Sequence, residues 1–410
     1  MEIIFYYSLF ESFLTSNFCI FTRKPASEIN NYYNEVFVTQ QNLLRELAKH
    51  ESSQGPVGQR QRLIMDISGN TLPKWCTEQD QQLINARLLS ISTGWLILYL
   101  SHARTDMHTH QYIYNLQYIE CPLTSYRILF ADESFLLSWC NIQAPKVEVL
   151  ILNFQTKNYS LPEFVEKMDK LKVLIINNYG FFPAELINFQ LLSVLPNLKR
   201  IRLEKVSIPS LCLAPVLLQS LRKISLSMCN IGQAFGNGTI QVSDALPNLM
   251  EISIDYCNDL VELPTGLCDV IRLKNLSITS CHNLSTLPKA IGKLVNLEVL
   301  KLGSCTDLFE LPESIRNLHK LRILDISDCL NIRYLPKHIG ELCNLKEIHM
   351  NGCLCLRSEL PQSTSNLERL RLVICDVERA KLWEPIKEDL TNLEVRVAEK
   401  DINLNWLFKS

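Results

Sequence analysis

From Leu249 to Leu367 the apolar positions follow two alternating rhythms. Leu297-x-x-Leu300-x-Leu302 opens a unit, and Leu308, Leu311, Ile315 and Leu318 follow at wider spacing before the pattern restarts at Leu321. Restarts fall at Leu249, Leu273, Leu297, Leu321 and Leu345, the position number rising by the same 24 at each step. Leu300 and Leu302 are two apart and share one face of an extended strand, while Val299, Lys301 and Gly303 take the other. Pro312 has no backbone N–H to donate, so the limb after the strand is predicted to be an extended or 3₁₀-like return. One unit cannot bury its own apolar stripe, but stacked neighbours can.

A repeat of this period and leucine placement is a leucine-rich repeat. The fold class is therefore α/β, a solenoid whose strands form a parallel β-sheet horseshoe. The array is predicted to begin near Ala144, with strands at Val147-Leu150-Leu152, Leu171-Leu174-Ile176, Leu198-Ile201-Leu203 and Leu221-Ile224-Leu226. Its starts there, at Val147, Leu171, Leu198, Leu221 and then Leu249, are unevenly spaced, and the longest unit absorbs a loop at 232–238. That loop is a surface bulge and not a phosphate cradle, since no Lys or helix signal follows it. After the regular units come Leu367-Leu370-Leu372 and a weaker Leu393-Val395-Val397, with Trp406-Leu407-Phe408 placed to fold back as a cap.

The period also accounts for most of the cysteines. Of 15, seven form one ladder, Cys229, Cys257, Cys281, Cys305, Cys329, Cys353 and Cys375, read as sitting eight residues after the leading leucine. A small, weakly donating thiol suits that turn. Neighbouring strands stack at about 4.8 Å, so distance alone does not forbid disulfides. The odd count and the packing role favour buried free thiols over disulfide or metal.

Charge adds little at the level of the whole chain: 410 residues carry a net charge of −2. No general electrostatic case arises for nucleic acid or an anionic membrane. Met1 to Phe21 is apolar but interrupted by Glu2 and Glu11; it lacks a basic start and falls short of a membrane span. Asp106, His108 and His110 lie close together but lack a partner cluster, so a metal site is not expected. No G-x-x-x-x-G-K-[ST] occurs; Gly292-Lys293 belongs to a return limb. No catalytic constellation stands out, and the chain is read as a non-enzyme. The candidate site is instead the outward strand face, with Arg200, Arg202, Lys223, Glu251, Asp255, Asn275, Lys301, Asp325, Glu347, His349, Arg369 and Arg371 predicted to bind protein. His349 is read there as a solvated strand residue.

Residues 28–93 carry a separate signal. Leu43, Leu44, Leu47 and Ala48 share a helical stripe, and a strand is predicted at 63–67. Phe37 to Ala48, with Arg62-Leu63-Ile64-Met65-Asp66-Ile67-Ser68-Gly69-Asn70 and Leu72-Pro73-Lys74-Trp75, resembles the end of the NB-ARC module of plant NLR immune receptors. The likeness is to the helper class with a powdery-mildew-resistance-type coiled coil. There a Gln-His-Asp triplet precedes the Leu-Leu-Arg helix, and its His contacts bound ADP; here the triplet reads Gln40-Gln41-Asn42. A neutral Gln cannot become a cation and Asn lacks the carboxylate, so the resemblance implies an altered, non-functional contact. Family members bind ADP or ATP; with the P-loop absent, no cofactor is expected here.

The resemblance divides the chain into a poorly ordered 1–27, an NB-ARC (winged-helix) remnant at 28–93, an anomalous insertion at 94–130 that reads as translated intron, and leucine-rich repeats at 131–410. It implies a plant innate-immunity protein acting by protein binding and autoinhibitory restraint. Implied partners are the NB-ARC region of full-length relatives, lipase-like immune proteins and other NLRs. Neither nucleic-acid binding, a transmembrane span nor oligomerisation is expected, and the implied location is cytoplasmic, with membrane association in full-length relatives. The alternative is a stand-alone leucine-rich-repeat scaffold, of the ligase substrate receptor or receptor ectodomain type.

Overall fold

The computed structural model describes residues 59–67, 84–93, 118–120, 127–129, 142–208, 217–232, 234–235, 241–356 and 359–398. Its first strands are β1 (Arg62–Ile67), β2 (Leu88–Thr93), β3 (Tyr118–Glu120), β4 (Arg127–Leu129), β5 (Val149–Phe154) and β6 (Asn158–Ser160). Next come β7 (Val173–Asn178), β8 (Ala184–Ile187), β9 (Arg200–Glu204), β10 (Val206–Ser207) and β11 (Lys223–Ser227). Helix α1 (Val242–Ala245) precedes β12 (Glu251–Asp255), β13 (Asn275–Thr279), β14 (Val299–Lys301), β15 (Ile323–Asp325) and β16 (Glu347–His349). The described chain closes with β17 (Leu372–Cys375), α2 (Val377–Asp389) and β18 (Glu394–Val397).

Thirteen of these strands form one parallel sheet in the order β1-β2-β5-β7-β9-β11-β12-β13-β14-β15-β16-β17-β18. Chain order and sheet order agree because each repeat contributes one strand and returns outside the sheet. Partners match position for position: Leu276 faces Leu300, Leu300 faces Leu324 and Leu324 faces Ile348. Burial alternates along strands such as β12, with Ile252 and Ile254 inward and Glu251, Ser253 and Asp255 on the other face. The inward side chains join one core that runs from Leu63 to Leu393. A smaller ladder, β10-β8-β6, forms where three early repeats leave the large sheet.

Return limbs are 3₁₀ turns, as the prolines require. Pro162, Pro264, Pro288, Pro312 and Pro361 each stand directly before one. Proline's missing N–H falls where no partner is needed, and its ring fixes the entry angle. Glycines allow close stacking at Gly340, where an added Cβ would collide with the Ser363 carbonyl of the next limb.

The turn after each strand has a repeated conformation. Met228, Tyr256, Ser280, Ser304, Asp328 and Gly352 take positive φ, and each precedes a cysteine of the ladder. Non-glycine residues enter this left-handed region at a cost of about 1–2 kcal/mol. The turn holds them because each N–H still reaches the next rung, as in Ser304 N–H to the Ser327 carbonyl at 2.7 Å.

The structure changes three expectations. First, the strands at 62–67 and 88–93, read as part of an NB-ARC remnant, are the first two rungs of the solenoid sheet. β1 pairs with β2 from Arg62↔Leu88 to Ile67↔Thr93, and β2 pairs with β5 from Leu88↔Val149 to Ser92↔Asn153. The other residues of that assignment, 28–58 and 68–83, lie outside the described residues, as do 1–27. Second, the leading leucine of the β17 repeat is Leu370, not Leu367. Leu345 and Leu370 both donate to the leucine three residues earlier, and the register sets Ile348 against Val373. That repeat is one residue longer, so Leu372 and Ile374 hold the strand's outward positions. Third, Cys375 is a strand residue of β17 facing Val397, not a turn cysteine.

The segment 94–130 falls between adjacent rungs. Leu89 and Leu150 are partners in the register despite the long stretch of chain between them. With 94–130 taken out, the distance along the chain from one to the other shrinks to the array's own period. Ser92 and Asn177 both bond Asn153, at 3.1 and 2.9 Å, and Glu148 bonds Arg87 at 2.8 Å and Lys172 at 2.8 Å. These ties cross the insertion as they cross an ordinary repeat. Within it, β3 and β4 pair antiparallel and join neither other sheet. Joining Thr93 to Ala131 is therefore expected to give a folded chain whose melting temperature is no lower. A variant that loses cooperative unfolding on circular-dichroism melting contradicts this.

Helix α2 replaces the last 3₁₀ limb and seals the described end of the core with Trp383, fully buried, and Ile386. The expected cap at 406–408 lies outside the described residues.

Candidate functional site

One side chain in two on each strand points away from the core, and these form the outward face. Arg200 and Arg202 stand on β9, Lys223 on β11, Glu251 and Asp255 on β12, and Asn275 on β13. Lys301, Asp325 and the pair Glu347 and His349 continue it on β14, β15 and β16. The sequence-predicted residues thus lie in adjacent columns, rungs stacked about 4.8 Å apart. Arg369 and Arg371 do not join them; both precede β17, at the edge where the limb enters the sheet.

Charges on this face meet between rungs. Lys223 reaches Glu251 at 3.5 Å, and Thr279 donates to Asp255 at 2.7 Å. His349, half-buried, lies between two carboxylates: Nδ1 is 3.8 Å from Asp325 and Nε2 3.5 Å from Glu347. Interaction with His349 lowers the Glu347 carboxyl below its ordinary value, against a raising effect of burial. The depressed folded-state value means that this contribution is present above the ordinary carboxylate range and is lost as acid protonates Glu347. The histidine read as solvated is therefore half-buried between two carboxylates.

From β2 to β7 the face is largely apolar, with Ser90, Ser92, Asn153 and Asn177 as polar positions on it. From β9 it is mainly polar, with Val299 and Ile323 as apolar positions. Over the first rungs Leu88, Val149, Ile151 and Ile175 form a second buried apolar cluster, with Ile64 and Val173 packed on it. The signal was in the sequence, as consecutive apolar runs such as Val149-Leu150-Ile151-Leu152, which mark a strand buried on both faces.

The turn cysteines are structural. Sγ of Cys329 donates to the Leu302 carbonyl at 2.9 Å, and Sγ of Cys353 to the Ile326 carbonyl at 3.0 Å. Burial pushes the thiols of Cys229, Cys281, Cys305 and Cys353 up to about 12. Thiols so held are protonated at neutral pH and unreactive. Native protein is expected to leave at least the eight buried thiols among the described cysteines unlabelled by a disulfide reagent, and denaturant to release them. Rapid native labelling of all 15 would contradict the packing.

Among the described residues, no group of three or more His, Cys, Asp or Glu side chains could hold a metal ion. None of the described helices is long and apolar enough to cross a membrane. The triplet Gln40-Gln41-Asn42 and the trio Asp106, His108 and His110 lie outside the described residues.

Comparison with known proteins adds the family. The chain is 45% identical to "Probable disease resistance protein At5g66890" of Arabidopsis thaliana over 381 residues, covering 92% of this chain and 82% of that protein. The chain belongs to the plant disease resistance proteins. Within that family it is 54% identical over 379 residues to "Probable disease resistance protein At5g66900", covering 92% of this chain and 41% of that one. It is 42% identical over 375 residues to "Disease resistance protein ADR1", covering 92% and 42%. This disease resistance chain thus spans about two fifths of the length of those two Arabidopsis relatives. No family model matches it. Among solved structures, the leucine-rich repeat domain of the type III effector XopL is similar at 23% identity, with a TM-score of 0.47, 58% of this chain and 79% of that one. An internalin from Listeria monocytogenes is similar at 11% identity, with a TM-score of 0.41, 83% and 87%.

Proposed function

We propose that the chain acts in plant defence by protein binding, as the leucine-rich-repeat part of a helper-class receptor, and that it restrains the nucleotide-binding region of such receptors. The observation that carries this reading is the match to plant disease resistance proteins across 92% of the chain, combined with a mainly charged and polar outward face from β9 to β16. Solenoids of this kind bind proteins on that face, because its side chains vary while the core keeps the frame. Lipase-like immune proteins and other NLRs are the further partners, and the cytoplasm is the site of action.

No nucleotide is bound by the chain itself in this reading, since the sequence holds no glycine-rich cradle and lysine for β- and γ-phosphates. The test is calorimetry with the purified chain. Titration with the nucleotide-binding region of At5g66900 is expected to show saturable binding on the order of a micromolar Kd. ADP alone is expected to show none below about a millimolar. Absence of the first, or micromolar ADP binding, overturns the proposal.

A second reading has one observation in its favour. At5g66890 is matched over 82% of its length, so a relative of similar extent exists. The chain would then be a stand-alone repeat protein in defence, with a partner other than the nucleotide-binding region.

A further inference from the structure

We propose that the edge of the solenoid where the return limbs enter β13 to β17 is a binding site for clustered phosphates. The net charge of the chain conceals it. On either side of each leading leucine one side chain stands on this edge. From Asn248 to Arg371 the only carboxylate at these positions is Glu298, against Arg272, Lys274, Lys320, Arg322, Lys346, Arg369 and Arg371. Backbone bonds stack the column after the leucine: Arg322 N–H to the Glu298 carbonyl, Lys346 to Arg322 and Arg371 to Lys346, at 2.7 to 2.9 Å.

The column before the leucine is arranged to hold cations without neutralising them. Asn248, Asn296 and Asn344 each donate their side-chain amide to a backbone carbonyl of the preceding repeat, at 2.8, 2.8 and 2.7 Å. That fixes each amide oxygen toward the following repeat. There it accepts from Arg272 at 2.5 Å, from Lys320 at 2.7 Å and from Arg369 at 2.6 Å. A neutral oxygen orients the cation and leaves its charge in place. Glu298 is shared between Lys274 at 3.2 Å and Arg322 at 3.7 Å.

Glu298, Lys320, Arg322, Asn344, Lys346 and Arg369 surround an open concavity of about 310 Å³. Its four cations and one carboxylate leave three formal positive charges facing it. The volume suits a small molecule rather than a protein element. Arginine offers a planar fork for phosphate oxygens and lysine a point charge, and one phosphate brings more charge than one carboxylate. An acidic extended peptide fits less well: same-face side chains repeat at about 6.8 Å, against rungs at about 4.8 Å. The phosphates could belong to a free compound or to a lipid headgroup.

The full chain would be titrated with inositol hexakisphosphate, and separately with phosphatidylcholine vesicles containing phosphatidylinositol bisphosphate. Saturable binding on the order of 10 μM at low salt, weakened by added salt, is expected for at least one. The vesicle arm alone indicates a headgroup; the soluble arm alone indicates a free polyphosphate. Lys320→Glu with Lys346→Glu is expected to weaken binding at least about tenfold. Lys289→Glu with Lys381→Glu, equal in charge change and away from the edge, is expected to leave it within about twofold. If the first pair lowers the melting temperature, Lys320→Gln with Lys346→Gln takes its place and is read for the same loss. Binding in neither arm, equal loss in both pairs, or equally effective displacement by a poly-glutamate peptide overturns the proposal.

Discussion

Replacement of Trp383 by alanine is expected to lower the free energy of unfolding by about 3–5 kcal/mol, the range for removing a buried aromatic side chain. Trp383 lies on α2 and is fully buried at the end of the core. Its surroundings are held by Arg379, which bonds Asp376 at 3.1 Å and the Leu354 carbonyl at 2.9 Å, so the helix cannot easily settle into the vacated space. A repeat array contacts itself only between neighbours, so damage at one end should first loosen the last rungs. Urea denaturation followed by circular dichroism measures the loss, and hydrogen exchange should speed up in β17 and β18 before β12 and β13. A loss under about 1 kcal/mol would mean that α2 does not close the core.

Leu300→Ala is expected to cost about 2–5 kcal/mol for a different reason. Leu300 is fully buried on β14, between Leu276 and Leu324 in the register. Both neighbours belong to stacked repeats, so the cavity weakens two interfaces at once. The middle of the array is where neighbour coupling must pass from one half to the other. Unfolding is expected to split into two transitions, or to broaden, where Trp383→Ala frays from one end. A single transition of unchanged width, with the midpoint shifted less than expected, would mean that coupling between the halves does not depend on Leu300.

The part of the fold that repeats was legible before any coordinates. From Leu249 to Leu345 the leading leucines restart at a constant interval, and β12 to β16 stand where that spacing puts them. The slip at the last repeat has a simple cause. Most return limbs end in a buried leucine three residues before the leading one, as in Leu318 and Leu321 or Leu342 and Leu345, with Met168 and Val270 in that place in two others. The pattern therefore matches itself when shifted by three, and the extra residue before Leu370 makes Leu367 the apparent start. β1 and β2 were hidden differently. Their own leucines, Leu63 and Leu89, stand close to one period apart, but the much longer stretch from Leu89 to Leu150 broke the period.

Site geometry was less legible because it depends on residues one repeat apart. His349, Asp325 and Glu347 could be placed on one face from their numbers alone; their close approach could not. The edge was missed because Arg322 and Lys346 flank the strands, outside the alternation that defines the outward face. Its asparagine column, Asn248, Asn296 and Asn344, recurs only in every second repeat, twice the main period.

Protein binding is assigned to the outward face from β9 to β16. The most direct test compares calorimetric affinity for the nucleotide-binding region of At5g66900 between the native chain and Arg202→Glu with Lys223→Glu, the variants being checked for unchanged melting. Affinity is expected to fall at least about tenfold. The same double change at Lys289 and Lys381, on the opposite side of the solenoid, is expected to leave it within about twofold. Equal affinity in all three chains would contradict the assignment of this face.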